Sequence, residues 1–183
     1  MNYIINFITL SRVLFAPLIF FCITALESYG ITIGIFFLAS ISDFLDGYLA
    51  RKYNLESELG RILDPIADKI LIAFTLIALT VHLDSFFVGL MTSLILAREF
   101  WVSALRELNA IQNHSQATKV TLLAKIKTTT QFVAIAGYIF ALYLNLSILF
   151  FASNLILFAA VLITLVTGLE YTKNTFKAYP HKE

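Results

Sequence analysis

Between residues 43 and 68 the chain reads Asp43-x-x-Asp46-Gly47-x-x-Ala50-Arg51, then eight residues, then Gly60-x-x-x-Asp64-x-x-x-Asp68. On a helix each residue advances about 100°, so Asp46 lies about 60° from Asp43, Gly47 about 40° to the other side and Ala50 about 20° away. These four share one face. Asp64 and Asp68 are one turn apart on a following helix, with Gly60 on the same face if that helix reaches so far. A short connection makes the two helices antiparallel neighbours, so their acidic faces can meet. Four carboxylates brought together at low dielectric would repel severely, and something positive must sit between them. Hard divalent cations with oxygen ligands, Mg²⁺ or Mn²⁺, suit Asp43, Asp46, Asp64 and Asp68. Two such ions could share four carboxylates, as in phosphoryl-transfer sites. Gly47 and Ala50 leave room for a ligand to approach the backbone, or serve helix packing. Arg51 can contact a phosphate, or simply snorkel. On spacing alone, an ion pathway or a structural polar network competes with a metal-phosphate site.

The elements that must carry these residues follow from composition. The chain has 183 residues, 59% of them hydrophobic and 14% charged, with a mean hydropathy of +0.83. An ordinary globular domain carries about 25% charge, and a soluble core of this size could not hide so much apolar surface. The same numbers exclude disorder. Apolar runs fall at roughly 5–25, 30–50, 62–82, 86–105, 122–144 and 147–171, each close to the roughly 20 residues of a helical span. Alternation of period two, as in a membrane barrel, is absent. The expectation is an all-α integral membrane protein of six transmembrane helices, with residues 1–183 forming one membrane domain and no soluble domain. No basic stretch precedes the first apolar run, which reads as a retained span and not a cleaved signal. A single cysteine, Cys22, rules out an internal disulfide. The net charge of +1 gives no reason to expect nucleic acid as a partner.

Basic residues set the orientation. The 13 Lys and Arg are absent from the connections around Glu27–Gly30, His82–Ser85 and Asn145–Ser147. Every alternate loop is thus free of positive charge, which places both termini, the 51–61 loop and the 106–125 loop in the cytoplasm. Function is expected to face that side. Pro17 is a candidate kink in the first run, and Asp64-Pro65 reads as a helix start with Pro in the first turn. The basic, polar tail from Lys173 to Glu183 reads as a solvated end at the membrane surface.

Charge inside apolar sequence is costly and marks functional candidates. Arg98 and Glu99 are such a pair, and Glu99, Ser103 and Arg106 share a helical face. A pair serving only packing or orientation is the competing reading. Lys125-Ile126-Lys127-Thr128-Thr129 opens the fifth run, and cationic side chains at a helix start suit a phosphate-bearing substrate. Positive-inside anchoring explains the lysines equally well. Asn6, Thr9 and Arg12 lie on a broad common side of the first run and suit a ligand pocket.

The Asp43-to-Asp68 pattern resembles the full signature of the CDP-alcohol phosphatidyltransferases, with every defined position present. The resemblance implies a six-helix membrane enzyme, a homodimer, in a bacterial cytoplasmic membrane with its site open to the cytoplasm. It implies that Asp43, Asp46 and Asp64 hold a divalent pair with Asp68 near the metals. It further implies that Asp68 is the base that activates the acceptor hydroxyl. Asp43, Gly47, Ala50, Arg51 and Gly60 would cradle cytidine diphosphate. The stretches Arg98 to Glu107 and Lys125 to Thr129, with Asn6, Thr9 and Arg12, resemble the branch that uses sn-glycerol 3-phosphate as acceptor of the phosphatidyl group of CDP-diacylglycerol. Ala124 stands where that branch is expected to have Gly. By resemblance, Arg98, Arg106, Lys125, Lys127, Thr9 and Arg12 are candidates for the acceptor phosphate. Family relatives with other acceptors, inositol phosphate or phosphatidylglycerol, and a small divalent-cation transporter are the alternatives.

Overall fold

The computed structural model describes the backbone of residues 2–53, 58–112, 116 and 122–179, and the side chains of residues 10–42, 63, 65–112, 116 and 122–179. Six α-helices account for nearly all of it: α1 (Asn2–Thr24), α2 (Tyr29–Tyr53), α3 (Glu58–Leu83), α4 (Phe86–Ile111), α5 (Leu122–Leu144) and α6 (Ser147–Ala178). There is no strand among the described residues. Pro65–Leu83, Phe86–Ile111 and Ser147–Ala178 are long and apolar enough to cross a membrane, and Leu10–Thr24 and Tyr29–Ser42 are shorter apolar stretches. The outward faces carry large apolar side chains, including Leu14, Phe37, Phe86, Phe100 and Phe151, each at least 60% exposed. Such a surface is stable in lipid and a liability in water.

Three tight connections carry a residue in the left-handed region: Glu27 at φ 48°, Asp84 at 44° and Asn145 at 51°. They are the same connections that lack Lys and Arg. At the last, Leu146 N–H bonds back to the Ala141 carbonyl at 3.2 Å, closing the helix end with Asn145 in the reversed conformation. Ser85 caps α4 by accepting from Val88 N–H at 3.4 Å. All three turns gather at one end of the bundle. Tyr29 at the start of α2 meets His82 at the end of α3, with 2.8 Å between Oη and Nε2. Gly30 lies against the ring of Tyr143 at the end of α5.

The core runs through the middle, from Ala16 and Ile19 of α1 and Leu71, Leu76 and Leu79 of α3 to Ile95 of α4, Ile135 and Ile139 of α5 and Leu157 of α6. α3 packs on α1, α4 and α5, while α6 covers α4 and α5. α2 packs on α1 and α5. α5 and α6 approach closely where Gly137 faces Ser153, in keeping with small residues at helix contacts within membranes.

Two expectations are corrected. Pro65 is not in the first turn of a helix; it lies inside α3, which begins at Glu58. A proline removes one backbone hydrogen bond, and the extensive packing of α3 on α1 carries the helix through. The longer helix puts Gly60, Asp64 and Asp68 on one element. The chain from Lys173 is also not wholly a solvated end, because α6 continues to Ala178 and packs on α4. Thr175 is buried and accepts from Asn109 Nδ2 at 2.8 Å, and Tyr179 Oη donates to the Leu108 carbonyl at 3.3 Å.

Candidate active site

At the end opposite the three tight turns, a cavity of about 510 Å³ opens between α3, α4 and α5. Its deeper wall is apolar, with Ile72, Phe74, Ile95 and Leu96. Its polar wall carries Asp68 and Lys69 from α3, Arg98, Glu99 and Arg106 from α4, and Lys125, Lys127, Thr128 and Gln131 from α5. Asp68, the candidate base, therefore shares one chamber with four of the six candidate phosphate ligands, although they are spread over some sixty residues of sequence.

Glu99 organises the wall. It accepts from Lys127 Nζ, pairs with Arg98 through Nη1 at 3.0 Å, and lies 3.9 Å from Lys69 Nζ. Lys69 also donates to Ser103 Oγ, whose own hydroxyl donates to the Glu99 carbonyl at 2.8 Å. Arg98 and Lys127 are buried at 7% exposure, a depth at which unpaired charges would not survive. One carboxylate cannot neutralise three cations. The cavity lining as a whole has five cationic side chains against two carboxylates. This excess of positive charge in a concave, partly apolar site attracts an anion.

Arg98 is held from behind by α6. Its Nε donates to the Thr164 carbonyl at 3.0 Å and its Nη2 to Thr167 Oγ1 at 2.8 Å. Gln131 Nε2 donates to Thr164 Oγ1 at 3.1 Å, tying α5 to the same place. A Cβ added at Gly168 would stand 3.0 Å from Arg98 Cγ and 3.4 Å from its Nε. With the guanidinium fixed, the stem cannot yield cheaply. Gly168→Ala is expected to cost about 1–3 kcal/mol of stability and to lower activity with it. Thermal unfolding in detergent beside an activity assay checks this; an unaltered midpoint and rate would show that Arg98 is free to move.

Arg12, fully buried in α1, forms an ion pair and hydrogen bond with Asp68, whose carboxylate is about one-third exposed. Its described contact is thus with the candidate base, and Arg12 is not among the residues lining the cavity. Lys125 is exposed at the rim. The remaining site candidates divide by element. Asp43, Asp46, Gly47, Ala50 and Arg51 are in α2, Gly60 and Asp64 in α3 and Thr9 in α1, and their side chains lie outside the described residues. So does the meeting of the two acidic faces. Of the four candidate metal ligands only Asp68 has a described side chain, and among the described residues no group of three or more His, Cys, Asp or Glu could hold a metal ion. Asp68 is a hard oxygen donor and could contribute to holding a divalent cation.

Sequence reasoning missed Lys69 and the supporting stripe of α6: Thr164, Thr167, Gly168, Tyr171 and Thr175. Lys69 adjoins Asp68 and is itself a charge in an apolar run, which was signal enough. The α6 stripe recurs at helical spacing, but Thr and Tyr in a membrane helix are unremarkable until their partners are known.

The chain is similar to known proteins over most of its length. The family described as CDP-alcohol phosphatidyltransferase matches residues 2–166. Curated relatives named CDP-diacylglycerol–glycerol-3-phosphate 3-phosphatidyltransferase include one from Rickettsia felis, 38% identical over 178 residues, covering 92% of both chains. One from Rickettsia bellii is 39% identical over 176 residues, again covering 92% of both. One from Escherichia coli K12 is 34% identical over 167 residues, covering 90% of both.

Proposed function

The chain belongs to the CDP-alcohol phosphatidyltransferase family, and on that premise we propose that it transfers the phosphatidyl group of CDP-diacylglycerol to sn-glycerol 3-phosphate, giving phosphatidylglycerophosphate and CMP. It is an enzyme of phospholipid biosynthesis. The observation that carries the acceptor is the excess of cationic side chains in the chamber beside Asp68. A dianionic phosphate offsets most of that excess, whereas serine or a neutral alcohol would leave it uncompensated. The names of the relatives support the same acceptor.

In this reading Asp68 accepts the proton of the acceptor's primary hydroxyl. The hydroxyl oxygen forms a bond to the phosphorus attached to diacylglycerol, and the bond from that phosphorus to the CMP oxygen breaks. Arg106, Lys125 and Lys127 bind the acceptor phosphate and orient the hydroxyl. Arg98 and Glu99 fix the wall from which they work. Arg12 orients the Asp68 carboxylate. Asp43, Gly47, Ala50, Arg51 and Gly60 bind the cytidine diphosphate end. Asp43, Asp46, Asp64 and Asp68 would hold a divalent pair, Mg²⁺ or Mn²⁺, which supplies positive charge to the phosphoryl oxygens and to departing CMP.

The fold is read as six transmembrane helices forming one domain over residues 1–183, with both termini and the site on the cytoplasmic side of a bacterial cytoplasmic membrane. The asymmetry of Lys and Arg between the two ends of the bundle supports that orientation. The family resemblance supports a homodimer.

An acceptor panel tests the proposal. Purified protein with CDP-diacylglycerol and Mg²⁺ or Mn²⁺ is expected to release CMP with glycerol 3-phosphate, and far less with inositol phosphate, serine or phosphatidylglycerol. A preference for any of the last three would overturn the acceptor. Lys125→Ala and Arg106→Ala are each expected to raise the KM for glycerol 3-phosphate by about tenfold, and to change the KM for CDP-diacylglycerol much less. The reverse ranking would move the acceptor elsewhere.

A further inference from the structure

Tyr171 of α6 is 1% exposed and packs with Val102 and Leu105 of α4, with Ala124 of α5 against the cluster. Arg98 and Arg106 are separated by eight residues on α4, about 12 Å of helical rise. Their guanidinium carbons lie 5.7 Å and 5.6 Å from the Tyr171 ring centroid. One ring thus lies within cation–π reach of both arginines that line the cavity.

The two arginines differ. Arg98 gives donors to Thr164, Thr167 and Glu99. Among the described residues, the guanidinium of Arg106 has one specific contact, the Tyr171 ring, and its Nε is buried with no hydrogen-bond partner. An acidic neighbour would hold Arg106 more tightly but would cancel its charge. An aromatic face orients a guanidinium while consuming none of its N–H donors. The phenol oxygen of Tyr171 is buried with no hydrogen-bond partner, so the working part is the ring and not the hydroxyl.

We infer that Tyr171 is a positioning residue for the acceptor phosphate: its ring holds Arg106 at the cavity wall with charge and donors intact. This rests on the reading that Arg106 meets the acceptor phosphate. The ring acts through Arg106, so it affects acceptor binding and not the lipid nucleotide.

The experiment measures KM for each substrate and kcat in the parent, Tyr171→Leu, Tyr171→Phe, Arg106→Ala and the double variant Tyr171→Leu/Arg106→Ala, with Tyr171→Met as a second non-aromatic variant should Tyr171→Leu not fold. Loss of the face is expected to raise the KM for glycerol 3-phosphate by about five- to tenfold. The KM for CDP-diacylglycerol should stay within about twofold. Tyr171→Phe should stay near the parent. The double variant should be close to Arg106→Ala, because Arg98 keeps its donors to Thr164, Thr167 and Glu99 without the ring, and the interaction left for both changes to remove is the one between Tyr171 and Arg106. A parent that does not use glycerol 3-phosphate would sink the acceptor reading and this inference with it. With an active parent, three results overturn the inference alone: Tyr171→Phe as impaired as the non-aromatic variants, both KM values raised equally, or additive effects in the double variant.

Discussion

Asp68→Asn is expected to cut turnover by about a thousandfold, within the range for loss of a general base, while most CDP-diacylglycerol binding survives. Asparagine keeps the shape of the side chain but cannot take a proton from the acceptor hydroxyl. The groups proposed for the nucleotide end, Asp43 to Gly60, are untouched. A second effect arises from Arg12, which is fully buried and pairs with Asp68. Removing the negative charge takes this ion pair from a buried cation and lowers stability. Thermal unfolding in detergent reads that cost separately from catalysis, at temperatures where the variant is fully folded. Equilibrium binding of CDP-diacylglycerol reads the third quantity. Near-parent turnover in Asp68→Asn would remove Asp68 from the base role. Turnover and lipid-nucleotide binding lost in parallel would make Asp68 a binding group in place of a base.

The contrast between Asp68 and Arg98 shows what the sequence exposes and what it hides. Spacing alone put Asp68 on a shared acidic face, because helical geometry is local and a 100° step needs no tertiary information. The count and order of the helices were legible for the same reason, since each helix contains a local apolar run. Helix ends were less so. α2 reaches Tyr53, α4 reaches Ile111 and α6 reaches Ala178, beyond the apolar runs, because the polar turns that follow each run stay helical while hydropathy has already fallen. Arg98 was visible as a costly intramembrane charge, but its partners were not. Thr164 and Thr167 lie 66 and 69 residues away, and nothing local to either segment announces the pairing. Arg12 shows the same limit. Its place in a polar triplet made it a candidate ligand, but its ion pair with Asp68, 56 residues on, could not be read locally.

Removing divalent cations is expected to abolish turnover, by more than any single substitution in the acceptor wall. In the proposed site Asp43, Asp46, Asp64 and Asp68 are hard oxygen donors, placed where negative charge would accumulate during transfer, on the phosphoryl oxygens and on CMP. The five cations of the acceptor chamber cannot substitute for this, because they are committed to Glu99, to the acceptor or to the rim. Dialysis against excess chelator should leave no measurable CMP release, and Mg²⁺ or Mn²⁺ should restore it. Ca²⁺, which prefers longer and more irregular coordination, should restore it poorly. A second readout is independent of activity. If the carboxylates bind the ions, adding Mg²⁺ or Mn²⁺ to chelated protein should raise the unfolding temperature with concentration, as expected for any ligand of the folded state. Full activity after thorough chelation would sink the metal mechanism. A rise in unfolding temperature with no return of turnover would keep a metal site but separate it from catalysis. That result would favour the transporter reading, which proteoliposomes decide. Cation flux with no nucleotide present supports transport, and its absence alongside metal-dependent CMP release supports the transferase.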